Sequence, residues 1–315
     1  MVMLYWQTGR RISGEILRHK RAEYGEQILQ TVSKQLTLEF GAGYTRSSLS
    51  RMMRFADVFP EREIVATLSQ QLGWSHFVEL IPLKKPLQRD FYAEMCRVER
   101  WNVRTLRKKI GGMLYERTAL SKKPAKVAEI ELKKLRTEDQ LSPDLVFRDP
   151  YFLDFLGLKA THSEKDIEAA ILRELEQFIL ELGSDFSFVA RQKRVSLENE
   201  DYYLDLLFFH RGLRRLIAVE LKLEEFKPAH KGQMELYLRW LDRYERKPHE
   251  NIPLGIILCA EKSDSTVELL EMHKSGIHVA RYLTELPPID LLRRKLSDSI
   301  LRAKARLEVS QKQKR

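Results

Sequence analysis

Apolar residues recur every three to four positions through the first third of the chain. Beyond residue 185 they begin to alternate or run together as strands do. From residue 5 to about 120 the pattern is helical, with Ile28, Val32 and Leu36 at i, i+4 and i+8 of a helix predicted over 24–40. Gly41-Ala42-Gly43 ends that helix, and Thr45 is placed to cap another that runs to Phe59, before Pro60. Leu49, Met52, Met53 and Phe55 give the second helix a core side. Arg46, Ser47, Ser48, Arg51 and Arg54 give it a basic one. Helix, glycine turn and basic helix are what a helix-turn-helix requires, although a solvated face of a bundle helix has the same spacing. A further basic helix is predicted over 99–109.

Two later runs, Tyr203-Leu204-Asp205-Leu206-Leu207 and Ala218-Val219-Glu220-Leu221-Lys222, read as apolar strands that carry charge. A buried strand holds a charge only when something partners it. His210 to Arg215, with Gly212, suits a hairpin loop between them. An antiparallel hairpin brings Asp205 near Glu220 on one sheet face, and a slip of one residue would undo it. Glu220 and Lys222 share a face because side chains alternate with a period of two. A divalent metal between two carboxylates, with a lysine beside it, accounts for all three charges. Such a site hydrolyses phosphodiester bonds. The spacing alone is weak, since Glu131-Leu132-Lys133 and Glu225-Phe226-Lys227 repeat it without a strand-like context.

The flanking helices add to this. Ser163 caps a helix predicted to continue to Gly183, whose apolar arc is Ile167, Ile171, Leu172, Leu175, Phe178, Ile179 and Leu182. Glu168 falls inside that arc, where a carboxylate is costly unless it is used or bends out to solvent. After Lys222, a helix places Gln233 and Tyr237 one turn apart, with Trp240 and Tyr244 extending that side. An amide there suits a metal-bound water or a phosphate oxygen, and a phenol can donate to phosphate. Tyr237 and Trp240 also suit an ordinary core.

The phrases Phe186-Ser187-Phe188-Val189-Ala190-Arg191-Gln192, Asp201 to Phe208, Val219-Glu220-Leu221-Lys222, Phe226-Lys227-Pro228 and Gly232-Gln233-Met234 resemble the YhcG-type branch of the PD-(D/E)XK nucleases. The Gln-x-x-x-Tyr spacing is also similar to RecB-like nucleases. The segments around Leu4-Tyr5-Trp6, Trp74-Ser75-His76, 99–109 and Leu114-Tyr115-Glu116-Arg117 resemble the N-terminal domain joined to that branch, so the likeness covers nearly the whole chain. It departs at the name-giving Pro-Asp, here Leu204-Asp205, and implies a longer first helix, hence a truncated start.

The resemblance implies a mostly helical N-terminal domain followed by a restriction-endonuclease-like αβββαβ core with a C-terminal helix. It implies metal ligands at Asp205 and Glu220, a catalytic Lys222, an accessory acid at Glu168, and secondary roles for Gln233 and Tyr237. The cofactor expected is Mg²⁺, with Mn²⁺ as substitute, and the partner is DNA, with RNA left open. Arg46, Ser47, Arg51 and Arg54 are the expected nucleic-acid contacts of the first domain. The expected boundaries are 1–120 for the helical domain, 121–148 for a helical linker, 149–290 for the nuclease and 291–315 for a basic amphipathic tail. That tail carries Leu292, Leu296, Ile300, Ala303 and Leu307 on one stripe and suits docking or self-association. A non-catalytic DNA-binding or assembly protein on the same fold is the competing reading.

Charge fits a polyanionic partner: 55 basic against 45 acidic residues give a net charge of +10. The apolar runs are short and broken by charge, so no membrane span or signal peptide is expected. Two distant cysteines, Cys96 and Cys259, suit a reducing cytoplasm and argue against structural zinc. His273 and His278 are expected at the surface.

Overall fold

The structure, a computed structural model, describes residues 1–16, 22–158, 162–183, 185–198 and 200–313. It divides into two compact units, Met1–Gly112 and Met113–Arg315.

The first unit is helical. Val2–Arg11 crosses Arg46–Val58 so closely that a Cβ on Gly9 would lie 2.0 Å from the Met52 carbonyl oxygen, an approach only glycine permits. The Trp6 indole donates to the Phe59 carbonyl at 2.7 Å, and Leu49, Met52 and Phe55 are fully buried beneath. Ala22–Phe40, a turn at Gly41 with φ +87°, and Arg46–Val58 follow one another in the predicted order. Thr45 caps the last of these by accepting from the Ser48 amide. Arg46, Ser47, Arg51 and Arg54 all stand exposed. The basic helix predicted over 99–109 is Val103–Gly111 instead, because Asn102 caps it through the Thr105 amide while Glu99 closes the preceding helix, Pro86–Val98.

The second unit is built on a six-stranded sheet: β1 (Tyr151–Phe152), β2 (Phe186–Leu197), β3 (Glu200–His210), β4 (Arg215–Glu225), β5 (Leu254–Glu261) and β6 (Ile277–Leu283). The spatial order is β1-β6-β5-β4-β3-β2, antiparallel through β2-β3-β4 and parallel through β4-β5-β6-β1. One face is covered by Glu164–Arg173 and Leu175–Leu182, through Ile167, Ile171 and Phe178. The other is covered by Pro228–Tyr244, through Met234, Tyr237 and Leu241. Helix, three strands, helix and strand reproduce the expected αβββαβ core.

Three expectations change. The helix from Ser163 to Gly183 breaks at Glu174, so that its first part packs on β4 and its second on β2. Residues 121–148, expected as a linker, belong to the second unit. Thr118 bridges Arg148 there, and the Lys122 ammonium reaches Asp149 at 2.8 Å. His278 is half-buried rather than exposed: its ring packs on Phe147 and Nε2 lies 2.8 Å from the Arg148 carbonyl oxygen. Burial lowers its pKa to about 4. The tail is a helix as expected, Ile289–Gln313, and it docks within its own unit, with Leu292 and Leu296 buried against Met113. Lys314 and Arg315 lie outside the described residues.

Candidate active site

The pairing of β3 with β4 is registered as far as Leu206–Val219. One step further, Asp205 and Glu220 face each other. There Asp205 Oδ2 accepts the Leu221 amide at 2.9 Å, and a side chain takes the place of a ladder carbonyl. The hairpin predicted from the alternation therefore has the register that sets the two acids together. On the neighbouring side β4 continues in parallel register with β5, Glu220 beside Ile257 and Lys222 beside Cys259.

Glu220 is 4% exposed. Its Oε1 accepts from Lys222 Nζ at 3.0 Å and from Gln233 Nε2 at 3.1 Å, while its Oε2 is buried with no hydrogen-bond partner. Burial raises the pKa of this carboxyl to about 7; the Asp205 charge adds to the rise and Lys222 offsets part of it. Burial also raises Asp205, against the Leu221 amide, Lys222 and Gln192. For Lys222, burial opposes the charge but Glu220 outweighs it, so its pKa is raised. The lysine stays protonated beside a carboxylate that is short of partners.

The two helices contribute unequally. Gln233 reaches Glu220 from Pro228–Tyr244. Tyr237, 1% exposed, accepts from Gln233 at 2.9 Å and donates its own proton to the Tyr203 carbonyl at 3.1 Å. The phenol thus braces β3 from behind and has no proton left for a phosphate. From the other face, half-buried Glu168 meets Asp205 through Gln192, whose Nε2 lies 2.7 Å from Glu168 Oε2 and 3.1 Å from Asp205 Oδ1. Glu164 accepts the Leu223 amide at 3.1 Å. Gln192 and Glu164 were not singled out from the sequence. A bulge between Phe188 and Ala190 shifts the register of β2, which hides the face Gln192 addresses. Glu164 reads as an ordinary first-turn acid.

An open concavity of about 590 Å³ lies just past Lys222, lined by Leu223, Glu261, Tyr282 and Glu285 at the ends of β4, β5 and β6. Among the described residues no three His, Cys, Asp or Glu side chains gather as a metal cage. The arrangement does fit a cation that takes one or two carboxylates and keeps its waters, because the orphaned Glu220 Oε2 lacks a positive partner. Arg46, Ser47, Arg51 and Arg54 belong to the other unit.

The YhcG PDDEXK nuclease domain matches residues 144–297, and the DUF1016 N-terminal domain matches 1–117. "Putative nuclease YhcG" of Escherichia coli (strain K12) is 33% identical over 98% of this chain and 88% of its own length. This chain belongs to the YhcG nuclease family. The restriction-endonuclease-like fold follows from that membership and from the strand order above. Two solved structures share part of the chain. A repair endonuclease from Pyrococcus abyssi is 19% identical over 42% of this chain, with a TM-score of 0.28. An EndoMS complex with double-stranded DNA is 15% identical over 41% of it, with a TM-score of 0.30. The chain spans about half the length of each.

Proposed function

We propose that this chain is a metal-dependent deoxyribonuclease whose active site is the fork between β3 and β4. The observation that carries the reading is the buried, unpartnered Glu220 Oε2 facing Asp205, with Lys222 on the other Glu220 oxygen. Asp205 Oδ1 and Glu220 Oε2 would hold Mg²⁺ or Mn²⁺. A bound ion of this kind supplies Lewis-acid polarisation of the scissile phosphate and acidifies a water.

The residues do the rest. Leu221 fixes Asp205 through its amide, and Gln233 fixes Glu220 through the oxygen that Lys222 shares. Glu220 therefore presents one oxygen and has the other tied back, while Asp205 has Oδ2 held by Leu221 and Oδ1 oriented by Gln192. Lys222 keeps its proton and sets a positive charge where negative charge grows on the phosphate. Glu168 adds a third acid at the margin. The exposed Arg46, Ser47, Arg51 and Arg54 would hold the DNA backbone by phosphate contacts that position without specifying sequence. Two buried cysteines and the absence, among the described residues, of any helix long and apolar enough to cross a membrane are compatible with the cytoplasmic setting we propose.

Among the described residues no third acid closes on Asp205 and Glu220 as a metal cage, which favours one second reading: a DNA-binding protein that does not cleave. The test is cleavage of labelled DNA and RNA with Mg²⁺, with Mn²⁺ and with a chelator, wild type beside Lys222→Ala. Metal-dependent DNA cutting that disappears in the variant supports the enzyme; cutting of RNA alone reassigns the substrate. Equal DNA binding by both proteins with no cutting supports the second reading.

A further inference from the structure

Gln192 sits on β2 between the registered pairs Arg191–Leu206 and Lys193–Leu204, which sets it opposite Asp205. Its backbone is left-handed, with φ +44°, inside a strand. A side-chain-bearing residue is strained there, and such strain collects at functional sites. What the strained backbone achieves is visible in the side chain. One amide nitrogen donates to Glu168 and to Asp205, so the two acceptor oxygens are at most about 6 Å apart.

We propose that Gln192 is a positioning residue of the metal site, the uncharged tie that couples Glu168 to Asp205. The proposal rests on the metal-site reading above. Leu221 already holds Asp205 Oδ2, and the Gln192 amide fixes where Oδ1 points. The chemistry explains why an amide serves. A lysine or arginine here would neutralise both acids and compete with an incoming cation. An apolar residue would leave two like charges to repel each other across the gap. An amide offers two N–H groups, satisfies both carboxylates and adds no charge. Glu168 then affects cation affinity through Gln192, as partners behind a metal ligand do.

The test is Mn²⁺ binding to the full chain by calorimetry, alongside thermal melts, for Gln192→Met, Gln192→Gly, Glu168→Gln and the pair Gln192→Met with Glu168→Gln. Gln192→Met keeps the length and removes the amide, and should weaken Mn²⁺ binding about tenfold or more. In the Glu168→Gln background the same change should add little, because the two act through one hydrogen-bonded tie. Gln192→Gly accepts the left-handed backbone, so it should melt no lower than wild type while binding Mn²⁺ more weakly. Wild-type Mn²⁺ affinity in both Gln192 variants overturns the proposal. So does additivity with Glu168→Gln, or a Gln192→Gly protein whose melting temperature and affinity fall together. Asp205→Ala separates the two readings: if it also binds Mn²⁺ as wild type does, the metal site itself falls. If it no longer binds while the Gln192 variants still do, only the role of Gln192 falls.

Discussion

Two carboxylates of the second unit are almost equally buried, Asp149 at 3% exposure and Glu220 at 4%, and the fold treats them in opposite ways. Asp149 has Lys122 and Lys262 ammonium groups at 2.8 Å and the Arg281 amide at 3.0 Å. Burial works against its charge, but those cations hold its pKa well below the usual range. Glu220 has one lysine and one amide on a single oxygen and nothing on the other, and its pKa rises to about 7. The same burial is balanced by a full set of partners in one place and left open in the other. The complete acid is structural, tying residues 113–150 to the ends of β5 and β6. The incomplete one carries the oxygen we propose to hold the cation.

The difference can be pressed by substitution. The largest effect expected is on cleavage by Glu220→Gln, a drop of roughly 10³-fold or more in turnover, since both charge and ligand go. The same change should stabilise the metal-free fold at pH 8 by on the order of 2 kcal/mol, read by urea unfolding. The sign follows from the raised pKa: the folded state holds the Glu220 proton more tightly than the unfolded one. Stability of the metal-free protein therefore falls as pH rises from about 4.5 to about 7, and the variant lacks that slope.

Asp149→Asn should do the reverse, costing about 3–5 kcal/mol at neutral pH because two lysines lose their counter-charge. Its pKa is depressed by folding, so its contribution is present above the unfolded value. The gap between wild type and variant should close as pH falls below about 4. Smallest is the effect of Arg51→Gln with Arg54→Gln. These exposed changes should leave the melting temperature alone, weaken DNA binding, and lower the salt slope by about one for each phosphate no longer neutralised.

Much of this was legible because strands and helices have fixed periods. Asp205 and Glu220 could be paired from alternation and one glycine-bearing loop, and the order of elements followed from the same patterns. What escaped depends on departures from those periods or on distant partners. The bulge after Phe188 moved Gln192 to an unforeseen face. The break at Glu174 divided an arc that reads as continuous. Asp149 draws on Lys122, Lys262 and Arg281, up to 132 positions away, and no local spacing reports such a set. Tyr237 has the spacing of a site residue, yet its hydroxyl donates its hydrogen bond to the Tyr203 carbonyl.

The most direct test is a thermal melt of wild type, Glu220→Gln and Asp149→Asn, each without and with Mn²⁺. Wild type and Asp149→Asn should both rise in melting temperature with the ion, the latter from a lower start. Glu220→Gln should start higher than wild type and not respond. A Glu220→Gln protein that responds to Mn²⁺ as wild type does would contradict the claim that the unsatisfied carboxylate is the metal-holding one.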